Sequence, residues 1–131
     1  MSKVPEEDRL SLKISTMCNT FDKVKSEFQW YCDEVKKMEA LTQDYLHSLE
    51  LDGLDYKERA KLATQLAVCR QKRRKCKDTI EVYEPLVNYM ESDKGKQGLN
   101  LLKQVLGQIR KAEERIETRQ YTPRVLEKHC K

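Results

Sequence analysis

The most regular feature of the chain is a run of apolar residues spaced alternately four and three positions apart. From residue 10 to residue 49, eleven of the twelve positions on this run are apolar, and no Gly or Pro interrupts it. This spacing is the period of a helix that buries one seam against another helix. The run therefore predicts a first helix of about 40 residues, roughly 60 Å long at 1.5 Å per residue. The first seam consists of Leu10, Ile14, Met17, Phe21, Val24, Phe28, Tyr31, Val35, Met38, Thr42, Tyr45 and Leu49.

A second helix with the same period is predicted after a short turn. Gly53 favours the left-handed backbone conformation that ends a helix. Asp55, with Glu58 three residues later, has the spacing of a capping box, so the two helices should be antiparallel neighbours. Eight of the nine positions of the second seam are apolar and the exception is Arg73. Pro85 should kink this helix or start a new one. The second seam consists of Leu62, Leu66, Cys69, Arg73, Cys76, Ile80, Tyr83, Val87 and Met90.

The rest of the chain predicts a loop, a third helix and a tail. Residues 92–98 contain two Gly and mixed charge, which is typical of a loop. Pro123 disfavours the helical region for Thr122, so the tail should be extended. The third helix would place on one face Leu99, Leu102, Leu106, Ile109 and Ile116. The prediction is a single all-α domain: a first helix and turn over 1–54, a second helix over 55–91, a third over 99–117 and a basic tail over 118–131.

Composition indicates that the core is thin. Of 131 residues, 37% are charged and 38% apolar, with a mean hydropathy of −0.84. A long antiparallel helical hairpin that oligomerises fits these values, and its aromatic-rich seam is unlike a leucine zipper. Four Gly, three Pro and two Phe argue against a β-sandwich or barrel. Without a long apolar run or a signal sequence, the expected location is cytoplasmic, with no membrane partner.

Catalytic and metal-binding motifs are absent from the sequence. The five Cys include no CxxC pair, and neither His lies at a zinc-site spacing from them. Free thiols in a reducing compartment are the simpler interpretation. We find no Gly-rich phosphate loop, HExxH or GxSxG motif. The expectation is a protein that is not an enzyme, with no catalytic residue, no metal and no cofactor.

Positive charge is concentrated in the second half of the chain. Residues 1–54 carry 7 basic and 11 acidic side chains, and residues 55–131 carry 19 and 11. Helical spacing places four of the cations on one stripe, which could bind an anion or could be a solvated surface. Arg73 is also a seam residue, and a buried cation is unfavourable without a partner. We therefore expect either a first-helix carboxylate or a bound anion beside it. The stripe consists of Arg70, Arg73, Arg74 and Lys77.

A second candidate group lies in the tail. Arg119 and Arg124 flank Tyr121. Guanidinium groups bind phosphate bidentately, and an aromatic face can stack on a base. The alternative is a tail that packs across the bundle through Val125 and Leu126.

Three segments resemble the first-described Thoeris anti-defence family of small phage proteins. They are residues 55–64 (DYKERAKLAT), residues 70–77 (RQKRRKCK) and residues 119–126 (RQYTPRVL). The resemblance covers roughly residues 40–126.

The resemblance implies a helical protein that sequesters cyclic ADP-ribose isomers, made by bacterial immune TIR enzymes, without cleaving them. It implies location in the host bacterial cytoplasm and dimers that can assemble into hexamers. It also implies that some members hold cyclic di- or trinucleotides at a separate site. Family pockets lie between protomers and use Arg, an aromatic residue and Asn, which adds Tyr89 and Asn100 as candidates here.

Two other functions remain open. The basic stripe could serve an oligomeric coiled-coil protein that binds nucleic acid, or the chain could be a structural adaptor. The sequence pI of about 8.7 is lower than that of most domains that bind long nucleic acids.

Overall fold

All regular secondary structure in the described part of the chain is helical. The computed structural model describes residue 5 and residues 8–119. Over that part it contains three α-helices and no strand: α1 (Leu10–Leu51), α2 (Tyr56–Glu91) and α3 (Asp93–Glu117). The predicted all-α class is confirmed. The predicted tail lies outside the described residues except for its first two positions, which follow α3 as a turn and a coil residue.

The larger of two compact units, Thr20–Lys96, contains most of the buried residues. None of the nine positions of the second seam is exposed, and the first seam is unexposed from residue 21 to residue 49. At its centre the Cys69 thiol donates to the Met38 carbonyl at 3.3 Å, and the Thr42 hydroxyl donates to the same carbonyl at 2.8 Å. The one polar residue of the first seam is thus buried with its hydrogen bond satisfied.

Aromatic residues hold a second part of this unit together. The Tyr83 hydroxyl donates to the Glu27 carboxylate at 2.7 Å, and the Tyr31 and Tyr83 rings meet edge to face with centroids 5.8 Å apart. Contacts later in α2 therefore involve earlier residues of α1: Cys69 meets Met38, and Tyr83 meets Glu27. Within this unit the two helices run in opposite directions.

The connection between α1 and α2 contains the left-handed glycine and the helix cap that the local sequence predicts. Gly53 has φ +55°, the left-handed conformation expected of it. The Asp55 carboxylate accepts from the Glu58 amide at 2.8 Å and caps α2. This leaves one fewer unsatisfied amide at the helix start. The predicted turn and cap are confirmed.

At the end of α2, one prediction is wrong and one alternative is excluded. The helix continues through Pro85, so of the two alternatives expected there, a kink or a new helix, the new helix does not occur. Pro85 and Glu81 are both exposed, so water can satisfy the carbonyl that loses its amide partner. The predicted loop over residues 92–98 is a single residue, Ser92, because α3 begins at Asp93 rather than residue 99.

Ser92 makes this short connection possible by capping both helices. Its amide donates to the Asn88 and Tyr89 carbonyls at 3.1 and 3.2 Å, and its hydroxyl donates to the Tyr89 carbonyl at 2.5 Å. The same hydroxyl oxygen accepts from the Gly95 amide at 3.1 Å. A Cβ on Gly95 would lie 1.8 Å from the Tyr89 carbonyl oxygen, so only glycine fits.

The smaller unit combines the start of α1 with α3 from residue 97 onward. Among its described residues, Cys18 and Leu106 are buried. The first seam predicted Met17 here, but Met17 is 49% exposed. In this unit α1 meets α3 rather than α2, and its less exposed face includes Ser11, Ser15 and Cys18. The buried position of α1 therefore differs between the two units, because a different helix lies opposite α1 in each.

Charged contacts join α1 and α3 in this unit. Arg9 forms an ion pair with Glu117, and the Ser11 amide donates to the Glu113 carboxylate at 3.2 Å. A hydrogen bond with the Ser11 side chain, together with the one from the Ser11 amide and the charges of Arg9 and Arg110, holds the pKa of Glu113 below its ordinary value, although desolvation opposes this shift. Near the end of α3, Glu113 lies on the less exposed face, where the sequence pattern had predicted Ile116. Ile116 itself is 57% exposed.

Candidate anion-binding site

Arg73 occupies a seam position of α2, so its cation is held at the junction with α1. Its Nε donates to Oε1 of Glu39 at 3.2 Å. The Arg73 side chain is 15% exposed, whereas that of Glu39 is 50% exposed. A first-helix carboxylate therefore does meet this cation, which was the first of the two expected outcomes.

An open groove of about 460 Å³ lies beside this ion pair. Its lining comes from both helices of the larger unit, and Arg73 contributes together with Arg70, one turn earlier. Thr42 is the buried member of the lining. The full lining is Glu39, Ala40, Thr42, Gln43, Arg70 and Arg73.

The groove offers hydrogen-bond donors for an anion. Arg70 is exposed and forms no ion pair with any residue that the structure describes. Two guanidinium groups present planar sets of N–H donors that match phosphate oxygens. The Gln43 amide can donate or accept, and the Glu39 carboxylate can accept from hydroxyl groups. The lining suits a small phosphorylated ligand that also carries hydroxyls.

The basic stripe divides into two parts in the structure. Arg70 and Arg73 line the groove, whereas Arg74 and Lys77 are exposed and do not line it. The four residues share a stripe by helical spacing, but only the first two lie near α1 closely enough to form a concave surface with it. Arg74 and Lys77 remain a solvated extension of the positive surface.

The other predicted site residues are not brought to this groove by any described contact. Arg119 is exposed just after α3, and its amide donates to the Ile116 carbonyl at 3.3 Å. Tyr89 is 54% exposed on α2, and Asn100 is exposed on α3. Tyr121 and Arg124 lie outside the described residues, as do Val125 and Leu126.

Sequence reasoning missed the α1 side of the groove, above all Glu39 and Gln43. In an antiparallel pair of helices, residues at nearly equal distances before and after the turn at Gly53 lie opposite each other. By this count, Arg73 would lie opposite Glu34. The structure places Glu34 near the Cys76 thiol instead, where burial first and then this carboxylate raise the pKa of Cys76. The same count correctly pairs Cys69 with Met38, so the choice of Glu39 over Glu34 depends on how the side chains pack, which residue counting does not supply.

Other chemistry has little support in the described residues. They contain no group of three or more His, Cys, Asp or Glu side chains that could hold a metal ion. None of the described helices is both long and apolar enough to cross a bilayer. Four cysteines are free in this part of the chain: Cys18, Cys32, Cys69 and Cys76.

Comparison with known proteins adds no relative. No family model matches the chain, and neither the curated proteins nor the solved structures include a match.

Proposed function

We propose that this protein binds and sequesters a small anionic nucleotide without transforming it. The ligand class is that implied by the resemblance: cyclic ADP-ribose-type signalling molecules of bacterial immunity, with cyclic di- or trinucleotides as a further class. The protein would act as an anti-defence sponge of a phage in the host bacterial cytoplasm. It would do so as a homo-oligomer, a dimer or a hexamer, and not as an enzyme.

The observation that carries the proposal is the presence of Arg70 and Arg73 in one groove. A charge-assisted hydrogen bond contributes about 1.5–3 kcal/mol when both partners are held in place. Two guanidinium groups on one pyrophosphate would therefore supply much of the free energy that a micromolar ligand needs, about 8 kcal/mol. The half-buried Arg73 is fixed by its seam position, which lowers the ordering cost of binding.

The groove lining also favours retention over turnover. Its one hydroxyl, on Thr42, is buried and donates to the Met38 carbonyl. Its one carboxylate, on Glu39, accepts from Arg73. Neither group is placed as an activated nucleophile or a free general base. A ligand recovered after heat denaturation of the protein should therefore be chemically intact, and hydrolysed product that increases with protein concentration would contradict this.

Calorimetric titration with glyco-cyclic ADP-ribose tests the site. Arg70→Ala should weaken binding about 10- to 100-fold and leave the melting temperature nearly unchanged, because Arg70 is exposed. Arg59→Ala is the matched control: Arg59 is an exposed arginine of α2 that does not line the groove. Parent-like binding by Arg70→Ala would overturn the groove as the site.

The tail is tested separately. The tail would close over the ligand with Arg119, Tyr121 and Arg124, because two guanidinium groups and an aromatic ring suit a phosphate and a base. Tyr89 and Asn100 are further candidates, since the resemblance implies a pocket that uses an aromatic residue and Asn. Arg119→Ala and Arg124→Ala should then each weaken binding about 10-fold or more at unchanged stability. If both variants bind like the parent, the tail does not cover the ligand.

Oligomerisation is supported by the apolar residues that the described chain leaves uncovered. Leu10 and Met17 belong to the first seam within the smaller unit, and both are exposed. Exposed apolar stripes of this kind usually mark interfaces. Light scattering should show a constitutive oligomer at micromolar concentration, and a monomer would contradict the proposal.

Nucleic-acid binding is the second candidate, and one observation favours it. Arg74 and Lys77 are exposed outside the groove, where they could contact successive phosphates of a polymer. Such binding should weaken steeply as salt rises, whereas a groove with two or three contacts should respond much less. A steep salt dependence that falls in Arg74→Ala and Lys77→Ala would favour the second candidate.

A further inference from the structure

We propose that Glu39 is a built-in competitor for the anion site, which holds Arg73 in the empty protein and is replaced by a phosphate group of the ligand. The inference rests on the proposed function only in taking the groove as the place where the ligand binds. It assigns to Glu39 a role opposite to that of Arg70 and Arg73, although all three line the same groove.

The ion pair is asymmetric in burial. Arg73 is 15% exposed and fixed in the seam, whereas Glu39 is 50% exposed. The guanidinium therefore has little room to leave, but the carboxylate can rotate toward water. An incoming anion can replace Glu39 without any change in the helix packing.

The ion pair is also incomplete. One hydrogen bond joins the two groups, from Arg73 Nε to Glu39 Oε1 at 3.2 Å. Among the described residues, we find no other hydrogen bond to this guanidinium. A guanidinium has five N–H donors, and a bidentate pair would use two of them on one anion. A phosphate can engage donors that Glu39 leaves free, together with those of Arg70.

Glu39 neutralises the partly buried charge of Arg73 when no ligand is bound. Without it, the groove would contain two cations and no anion, and one of these cations is largely withdrawn from water. A partly buried cation without a partner disfavours folding. Glu39 thus stabilises the ligand-free state, and every anion that binds must first compete with it.

Replacing Glu39 by its neutral isostere tests this competition. Glu39→Gln keeps the side-chain length but removes the charge. We expect the variant to bind inorganic pyrophosphate about two- to fivefold more tightly than the parent, the range that corresponds to removing a surface ion pair. Its melting temperature without ligand should be slightly lower, and pyrophosphate should raise it more than it raises that of the parent.

The control variants separate this effect from general electrostatics. Glu50→Gln changes the net charge equally on the same helix, but Glu50 is exposed and does not line the groove. It should bind pyrophosphate like the parent. Glu39→Gln should still tighten pyrophosphate binding when it is combined with Arg70→Ala, because Glu39 competes for Arg73 and not for Arg70. When it is combined with Arg73→Ala, the gain should be lost.

Each outcome decides the inference. Tighter pyrophosphate binding by Glu39→Gln alone supports it. Equal or weaker binding by that variant overturns it, and so does an equal gain in Glu50→Gln or the absence of pyrophosphate binding in every variant. Titration with glyco-cyclic ADP-ribose decides the proposed function independently. If pyrophosphate follows the expected order but the cyclic nucleotide binds to no variant, the competition is real and the proposed ligand is wrong.

Discussion

Gly53 and Gly95 lie at the two connections between the described helices, and they are needed for different reasons. Gly53 has φ +55°, and a Cβ there would meet no atom within 4 Å. Gly95 has an ordinary helical backbone, but a Cβ there would lie 1.8 Å from the Tyr89 carbonyl oxygen and 2.7 Å from its carbon. The first glycine supplies a backbone conformation, and the second supplies space.

The difference shows how far a requirement for glycine can be predicted locally. A left-handed residue after a helix is a local matter, so the sequence around Gly53 is sufficient to indicate it. The close approach at Gly95 exists because one residue, Ser92, separates α2 from α3. Five alanine substitutions test this distinction, each measured as a change in the free energy of urea-induced unfolding.

Gly95→Ala should have the largest effect. The methyl group would overlap backbone atoms of Tyr89, which cannot yield as the end of a flexible side chain can. We expect a loss of about 3 kcal/mol, the upper part of the range for overpacking. A loss below about 1 kcal/mol would show that the connection adjusts easily and that Gly95 is not sterically required.

Gly53→Ala should have the next largest effect. The expected loss is about 1–2 kcal/mol, the cost of a left-handed conformation for a residue with a Cβ. Gly53→Asn should recover part of this loss, because Asn tolerates that conformation better than Ala. Equal losses for Ala and Asn would contradict a purely conformational origin.

The two caps should matter about equally, although only one of them is indicated by the sequence. Asp55→Ala removes the oxygen that accepts from the Glu58 amide, and Ser92→Ala removes the one that accepts from the Gly95 amide. Each should cost about 1 kcal/mol. Asp55→Ser keeps an acceptor and Ser92→Thr keeps a hydroxyl that both donates and accepts, so these matched controls should stay near the parent. A harmless Ser92→Ala would contradict the capping role of Ser92.

Gly107→Ala should have the smallest effect, with the opposite sign. Gly107 lies within α3, and a Cβ there would meet nothing within 4 Å. Alanine should stabilise the protein by about 0.5–1 kcal/mol, because glycine loses more conformational freedom in a helix. Destabilisation by this variant would mean that the loss in Gly95→Ala reflects a general sensitivity of α3 and not the contact with Tyr89.

In the candidate site, too, some features follow from the local sequence and others only from the packing of α1 against α2. Arg73 was recognisable in the sequence because a cation in an apolar seam needs a partner. The sequence offered several carboxylates of α1 as that partner, and the packing of the side chains selected Glu39. The groove itself was not predictable, since three of its six lining residues, Glu39, Ala40 and Gln43, lie on α1 outside the first seam and follow no motif. The resemblance and its ligand stay predictions that the titrations above will test.

Local sequence patterns account for the helical class, the long first helix, the turn at Gly53 and most of the buried face of the larger unit. These features depend on periodicity, backbone preference and capping, which act over a few residues. Four other features arise only when the helices pack: the shift from Met17 to Cys18, the less exposed position of Glu113, the one-residue connection at Ser92 and the choice of Glu39. Each of these depends on which helix lies opposite and how it packs, and that is settled by contacts between side chains far apart in the chain.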